Sequence, residues 1–143
     1  FGCVDAMAET STLFGDNAES LLLAAGLNEI QTLGFALGAT HAETFTSISG
    51  IGDLDVTCRS KYGRNRRFGQ DIIKNNILDN FENLDDLIAN ISKVGYLPEG
   101  AVACKYIHEI AEKKGIKLTL TDALYKVLNK EKKPEDFLSE MLG

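Results

Sequence analysis

Residues 50–69 read Gly50-Ile51-Gly52-Asp53-Leu54-Asp55-Val56-Thr57-Cys58-Arg59-Ser60-Lys61-Tyr62-Gly63-Arg64-Asn65-Arg66-Arg67-Phe68-Gly69, a stretch unlike any other in the 143-residue chain. It opens as a loop rich in Gly, Asp, Thr and Ser and is expected to turn helical at Asn65 or Arg66. Glycines let a backbone approach a ligand closely. Arg64 offers a planar fork of donors that can hold a phosphate bidentately. It stands with Asn65 where a helix begins, so free backbone N–H groups and the positive dipole end favour an anion there. Asp53 and Thr57, four residues apart, can share a face and present an acceptor and a hydroxyl to a polyol. The combination fits a small phosphorylated alcohol; the competing reading is a solvated basic run whose arginines pair with acidic neighbours.

The charge distribution sharpens this. The chain carries 15 Lys+Arg against 21 Asp+Glu, net −6. Residues 1–58 contain no Lys or Arg but eight carboxylates: Asp5, Glu9, Asp16, Glu19, Glu29, Glu43, Asp53 and Asp55. All four arginines fall between Arg59 and Arg67, with Lys61 among them. So local a basic patch on an acidic chain argues against a nucleic-acid or polyanion binder and for a single anion site. The length suits one domain able to bury a core. No apolar run approaches the roughly 18 residues a membrane span needs. Cys3, Cys58 and Cys104 are odd in number and lack a CxxC, which signals neither a disulfide framework nor a zinc site and fits a reducing cytoplasm. His41 and His108 have no ligand spacing and read as structural, and no metal is expected. The chain opens Phe1-Gly2-Cys3, without an initiator Met or a signal-peptide pattern, and is expected to be a piece of a longer protein.

Outward from the central stretch, the periodicity is helical. Leu23, Leu27, Ile30, Gly34 and Leu37 recur at helical spacing, with Asp16 or Asn17 as cap and Gly38 as stop. Gly26 and Gly34 within that helix suggest close packing against another helix. Thr44 to Ser49 could form a short helix. Phe68, Ile72 and Ile73 belong to the helix that follows the arginines. Leu84, Leu87, Ile88 and Ile91 predict one helix ending near Lys93. Val102 to Ala111 predict another, closed by Lys113, Lys114 and Gly115. Residues 116–120 read as an extended connection. Leu120 to Leu128 form a helix with Thr119 or Thr121 as cap, and Pro134 starts the last. The expected class is all-α, with six or seven helices.

The pattern over 50–69 closely resembles the signature of the C-terminal substrate domain of NAD(P)-dependent glycerol-3-phosphate dehydrogenases. The likeness continues in Phe14-Gly15-Asp16-Asn17, in Leu33-Gly34 with Ala36-Leu37-Gly38-Ala39, in Pro98-Glu99-Gly100 before Tyr106, and in Asp122-Ala123-Leu124-Tyr125-Lys126-Val127-Leu128. It covers essentially residues 1–143. The resemblance implies a helical domain of the 6-phosphogluconate dehydrogenase C-terminal-like type. It implies reversible interconversion of sn-glycerol 3-phosphate and dihydroxyacetone phosphate with NAD or NADP, feeding glycerophospholipid synthesis. On that resemblance Asp53 is the substrate-contacting carboxylate beside the reacting carbon and Thr57 lines the same site. Gly63, Arg64 and Asn65 hold the phosphate and polyol, Arg64 also faces the cofactor, and Leu97 and Glu99 close over the nicotinamide nucleotide. The family's proton-transferring lysine and its Rossmann domain, the implied partner of this one, match nothing in these residues. Gly63 stands where bacterial relatives usually carry Ser. The resemblance also admits a homodimer. The alternatives are a non-catalytic helical assembly domain derived from such a dehydrogenase, and the substrate domain of another hydroxyacid dehydrogenase.

Overall fold

A computed structural model of the chain describes residues 2–10, 17–36 and 63–142. Asp53, Thr57, Cys58, His41 and the short helix expected at 44–49 lie outside the described residues. Among those described there are seven α-helices and no strand: α1 Gly2–Thr10, α2 Asn17–Ala36, α3 Arg64–Lys74, α4 Leu84–Ala89, α5 Glu99–Lys114, α6 Thr119–Leu128 and α7 Pro134–Leu142. Two 3₁₀ turns, Ile77–Asn80 and Ile91–Val94, flank α4. None of these helices is long and apolar enough to cross a membrane.

The helix α1 has no counterpart in the sequence reading, yet it lies at the centre. Val4, Ala6 and Met7 are completely buried. It packs most extensively on α3, and also on α2. The α3 side of this contact requires a glycine. A Cβ at Gly69 would lie 2.2 Å from the Cys3 carbonyl oxygen, so the two backbones meet with no side chain between them. Phe68, beside it, is fully buried in the common core, which also takes in Leu87, Phe137 and Leu138. The close helix approach is therefore seen at Gly69; Gly26 is buried and Gly34 partly buried in α2.

Two expected elements differ in detail. The helix foreseen from Leu84 to near Lys93 ends at Ala89 and resumes as a 3₁₀ turn. Asn90 causes the break: its side-chain amide donates to Asp86 Oδ1 at 2.8 Å and to the Asp86 carbonyl at 3.2 Å, the local bonding by which Asn competes with helix continuation. Neither Thr119 nor Thr121 caps α6, whose N-cap position is Leu118. Glu29 does so from α2. Its buried carboxylate accepts from Leu120 N–H at 2.5 Å, from Thr121 N–H at 3.0 Å and from the Thr121 hydroxyl at 2.9 Å. A carboxylate at a helix N-terminus complements both the unpaired N–H groups and the dipole. This clasp joins α2 to α6, which packs in turn on α5 and α7.

Candidate functional site

The site is built where the first turns of α3 and α5 come together. Gly63, at the N-cap of α3, is extended (φ −65°, ψ 132°) and has no side chain to accept from the first turn. The helix closes its first bond from Arg67 N–H to Gly63 O at 3.0 Å. No acidic residue occupies that turn. The positive end of α3 is thus balanced by neither a capping side chain at Gly63 nor a carboxylate of its own, which favours an external anion.

The start of α5 is arranged in the opposite way. Glu99 N–H donates to Leu97 O and Ala101 N–H to Pro98 O, both at 3.0 Å. Gly100 N–H donates to Asn65 Oδ1 at 2.8 Å. The N-terminus of α5 is therefore closed by Asn65 on α3. Because an N–H requires an oxygen opposite it, this bond fixes the carboxamide with Nδ2 as its outward donor. Gly100 permits the approach, since a Cβ there would meet Asn65 Oδ1 at 2.9 Å.

Arg64 reaches the same junction. Its guanidinium lies 3.5 Å from Glu99 Oε1, and the two side chains are 58% and 65% exposed. So exposed and long a pair contributes little to stability; its consequence is to hold Arg64 at the surface, where an incoming anion can compete with Glu99. Leu97 is 43% exposed nearby in sequence, an apolar surface next to charged groups. Of the residues singled out from sequence, the fold thus gathers Gly63, Arg64 and Asn65 with Glu99, and leaves Leu97 open two residues away. Asp53 and Thr57 lie outside the described residues.

The three described arginines have separate surroundings. Arg66 is buried, 3% exposed. Arg67 stacks its guanidinium over the Tyr96 ring, 4.2 Å from the centroid. The Tyr96 hydroxyl donates to Asp71 Oδ2 at 2.5 Å. Burial, reinforced by that bond, pushes the Tyr96 phenol well above its usual range, so it stays a donor. Sequence reasoning passed over Tyr96 and Asp71, and named Gly100 only within the Pro98-Glu99-Gly100 likeness. One signal was available: Arg64, Arg67 and Asp71 follow at i, i+3 and i+7, one face of a helix. His108 keeps its structural reading. It stacks on Tyr125 at 3.8 Å, with Nδ1 2.9 Å from Asp122 Oδ1 and Nε2 3.2 Å from Glu112 Oε1, at the contact of α5 and α6.

The sequence profile of the family described as NAD-dependent glycerol-3-phosphate dehydrogenase C-terminus matches residues 1–139. The chain belongs to this family. It is 69% identical over 142 residues to a Treponema denticola protein named glycerol-3-phosphate dehydrogenase [NAD(P)+], covering 99% of this chain and 40% of that protein. A Treponema pallidum protein of the same name is 59% identical over 143 residues, again with 40% of its length covered. The chain thus spans about 40% of the length of these relatives. The fold matches the crystal structure of a glycerol-3-phosphate dehydrogenase from Coxiella burnetii with a TM-score of 0.77 and 28% identity, over 99% of this chain and 40% of that one. The C-terminal dehydrogenase family is thus established both by sequence and by an all-α fold.

Proposed function

We propose that this chain is the substrate half of an NAD(P)-dependent glycerol-3-phosphate dehydrogenase, acting on sn-glycerol 3-phosphate and dihydroxyacetone phosphate together with a nucleotide-binding domain. One observation carries this reading: Arg64 and Asn65, at an N-terminus that Gly63 leaves without a side-chain cap, meet Glu99 and Gly100 at a second helix start. In this reading Arg64 leaves Glu99 to hold the substrate phosphate, and Asn65 Nδ2, oriented by Gly100, donates to a phosphate or hydroxyl oxygen. Asp53 and Thr57 take the hydroxyls beside the reacting carbon. The residues present fit the edge of a bound nucleotide: Leu97 offers an exposed apolar contact, Glu99 an acceptor and Arg64 a cation. When bound, NAD(P) supplies or accepts the hydride. The contribution of this chain is to fix the phosphate, orient the carbinol carbon and exclude water.

The test joins this chain to the preceding portion of the Treponema denticola relative and follows NADH or NADPH oxidation with dihydroxyacetone phosphate. Turnover by the fusion, with none by the 143-residue chain alone, is the expected result. A folded fusion without turnover would replace this reading by the non-catalytic assembly domain. Turnover by the chain alone would show that it is not half of a site.

A further inference from the structure

The segment from Gly95 to Gly100 lies against α3 through a series of contacts. Gly95 closes the second 3₁₀ turn in the left-handed region (φ +88°) and sends the chain into Tyr96. Tyr96 is then gripped twice by α3, its ring under Arg67 and its hydroxyl on Asp71. Further on, Glu99 faces Arg64 and Gly100 N–H binds Asn65. Three of these four α3 residues, Arg64, Arg67 and Asp71, share one helix face. Of the two contacts nearest the proposed site, the Arg64–Glu99 pair is long and exposed, which leaves the Gly100 N–H bond to Asn65, at 2.8 Å, as the firm one. The anchors at Tyr96 are partly buried, with a short charge-assisted hydrogen bond and a cation–π contact.

We infer that Tyr96 is a positioning residue: clamped between Arg67 and Asp71, it sets the Leu97–Gly100 segment on α3, so that Leu97 and Glu99 present to the nucleotide in register with Arg64 and Asn65. Its part in turnover rests on the function proposed above; the clamp itself rests on the contacts alone. The hydroxyl and the ring act separately. Tyr96→Phe keeps the stack on Arg67 and loses the bond to Asp71; Tyr96→Ala loses both.

Two measurements test this. In the fusion, Tyr96→Phe raises the KM for NADH by about 3- to 10-fold, the loss of one partly buried hydrogen bond, while kcat and the KM for dihydroxyacetone phosphate stay within about 2-fold of wild type. Asp71→Asn, which keeps an acceptor oxygen, gives a smaller rise than Asp71→Ala. In the full 143-residue chain, amide hydrogen exchange over residues 97–101 is faster in Tyr96→Phe than in wild type, with the rest of α3 and α5 unchanged. An unaltered NADH KM together with unaltered exchange overturns the inference. So does a loss spread equally over kcat, both KM values and the melting temperature, which would mark Tyr96 as core packing only. A wild-type fusion that does not turn over defeats the proposed function instead, and the exchange measurement still decides the clamp.

Discussion

At the scale of single residues, the three described arginines of the basic cluster have three separate surroundings. Arg64 is exposed at the junction of two helix starts, Arg66 is enclosed, and Arg67 lies on Tyr96. Their substitutions should therefore separate. In the fusion, Arg64→Ala weakens binding of the phosphorylated substrate by about 2–4 kcal/mol, as for a lost charge-assisted bidentate contact, and leaves the denaturation midpoint in place. Arg66→Ala does the reverse: it costs about 2–4 kcal/mol of stability by emptying a buried position and stranding its interactions, read as a lower midpoint in urea. An Arg64→Ala enzyme with unchanged kcat/KM would remove Arg64 from the site. The place of Arg64 and Asn65 at a helix start was legible in the sequence, and the proposal of anion binding there rests on that start, a glycine and a planar cation. The sequence could not separate Arg66 from Arg64, since which face of a helix is buried depends on the neighbour, and that neighbour, α1, went unread.

Among the elements, two contacts over long sequence separations govern the arrangement. Glu29 closes the N-terminus of α6 from 91 residues away. Glu29→Ala is expected to lower stability by about 3 kcal/mol, through a lost cap and an unsatisfied Thr121 hydroxyl. Glu29→Gln, which keeps an oxygen acceptor, is expected to lose roughly half as much; chemical denaturation of the two variants checks the order. Gly69→Ala sets two effects against each other. Alanine favours the helix by about 1 kcal/mol, but its methyl would press on the Cys3 carbonyl, an overpacking cost of up to about 3 kcal/mol. The clash wins, and a net loss of about 2 kcal/mol in thermal or urea unfolding is expected. Helix existence was readable wherever an apolar stripe was long, as in α2, α5 and α6. Short α1 was missed although Val4, Met7 and Ala8 stand at helical spacing. The cap of α6 was missed because a threonine beside the helix is a local signal, whereas a glutamate in mid-helix gives none.

For the molecule as a whole, the buried thiols make folding sensitive to alkali. Burial pushes Cys3 and Cys104 from 9.0 up to about 12 each. The unfolded chain loses these protons near pH 9 while the folded chain keeps them, so raising the pH favours unfolding. Stability is expected to fall between about pH 9 and about pH 12, by about 1.4 kcal/mol per pH unit for each thiol. Cys104→Ala should flatten that slope by about half between about pH 9 and 10, before the raised Tyr96 phenol adds its own share, measured as denaturation midpoints over that range; an unchanged slope would remove Cys104 as a source. By the same reasoning, thiol reagents should modify neither cysteine until the chain unfolds.

The bare contact at Gly69 has a mechanical consequence. A peptide carbonyl resting directly on a glycine leaves no side chain whose rotamer could absorb a displacement, so a shift of α1 at Cys3 presses directly on the backbone of α3. Arg64 stands less than two turns from Gly69, which makes residues 3–6 the datum from which its position is set. A substitution that shifts the first helix is therefore expected to move the start of α3, and with it the backbone that carries Arg64.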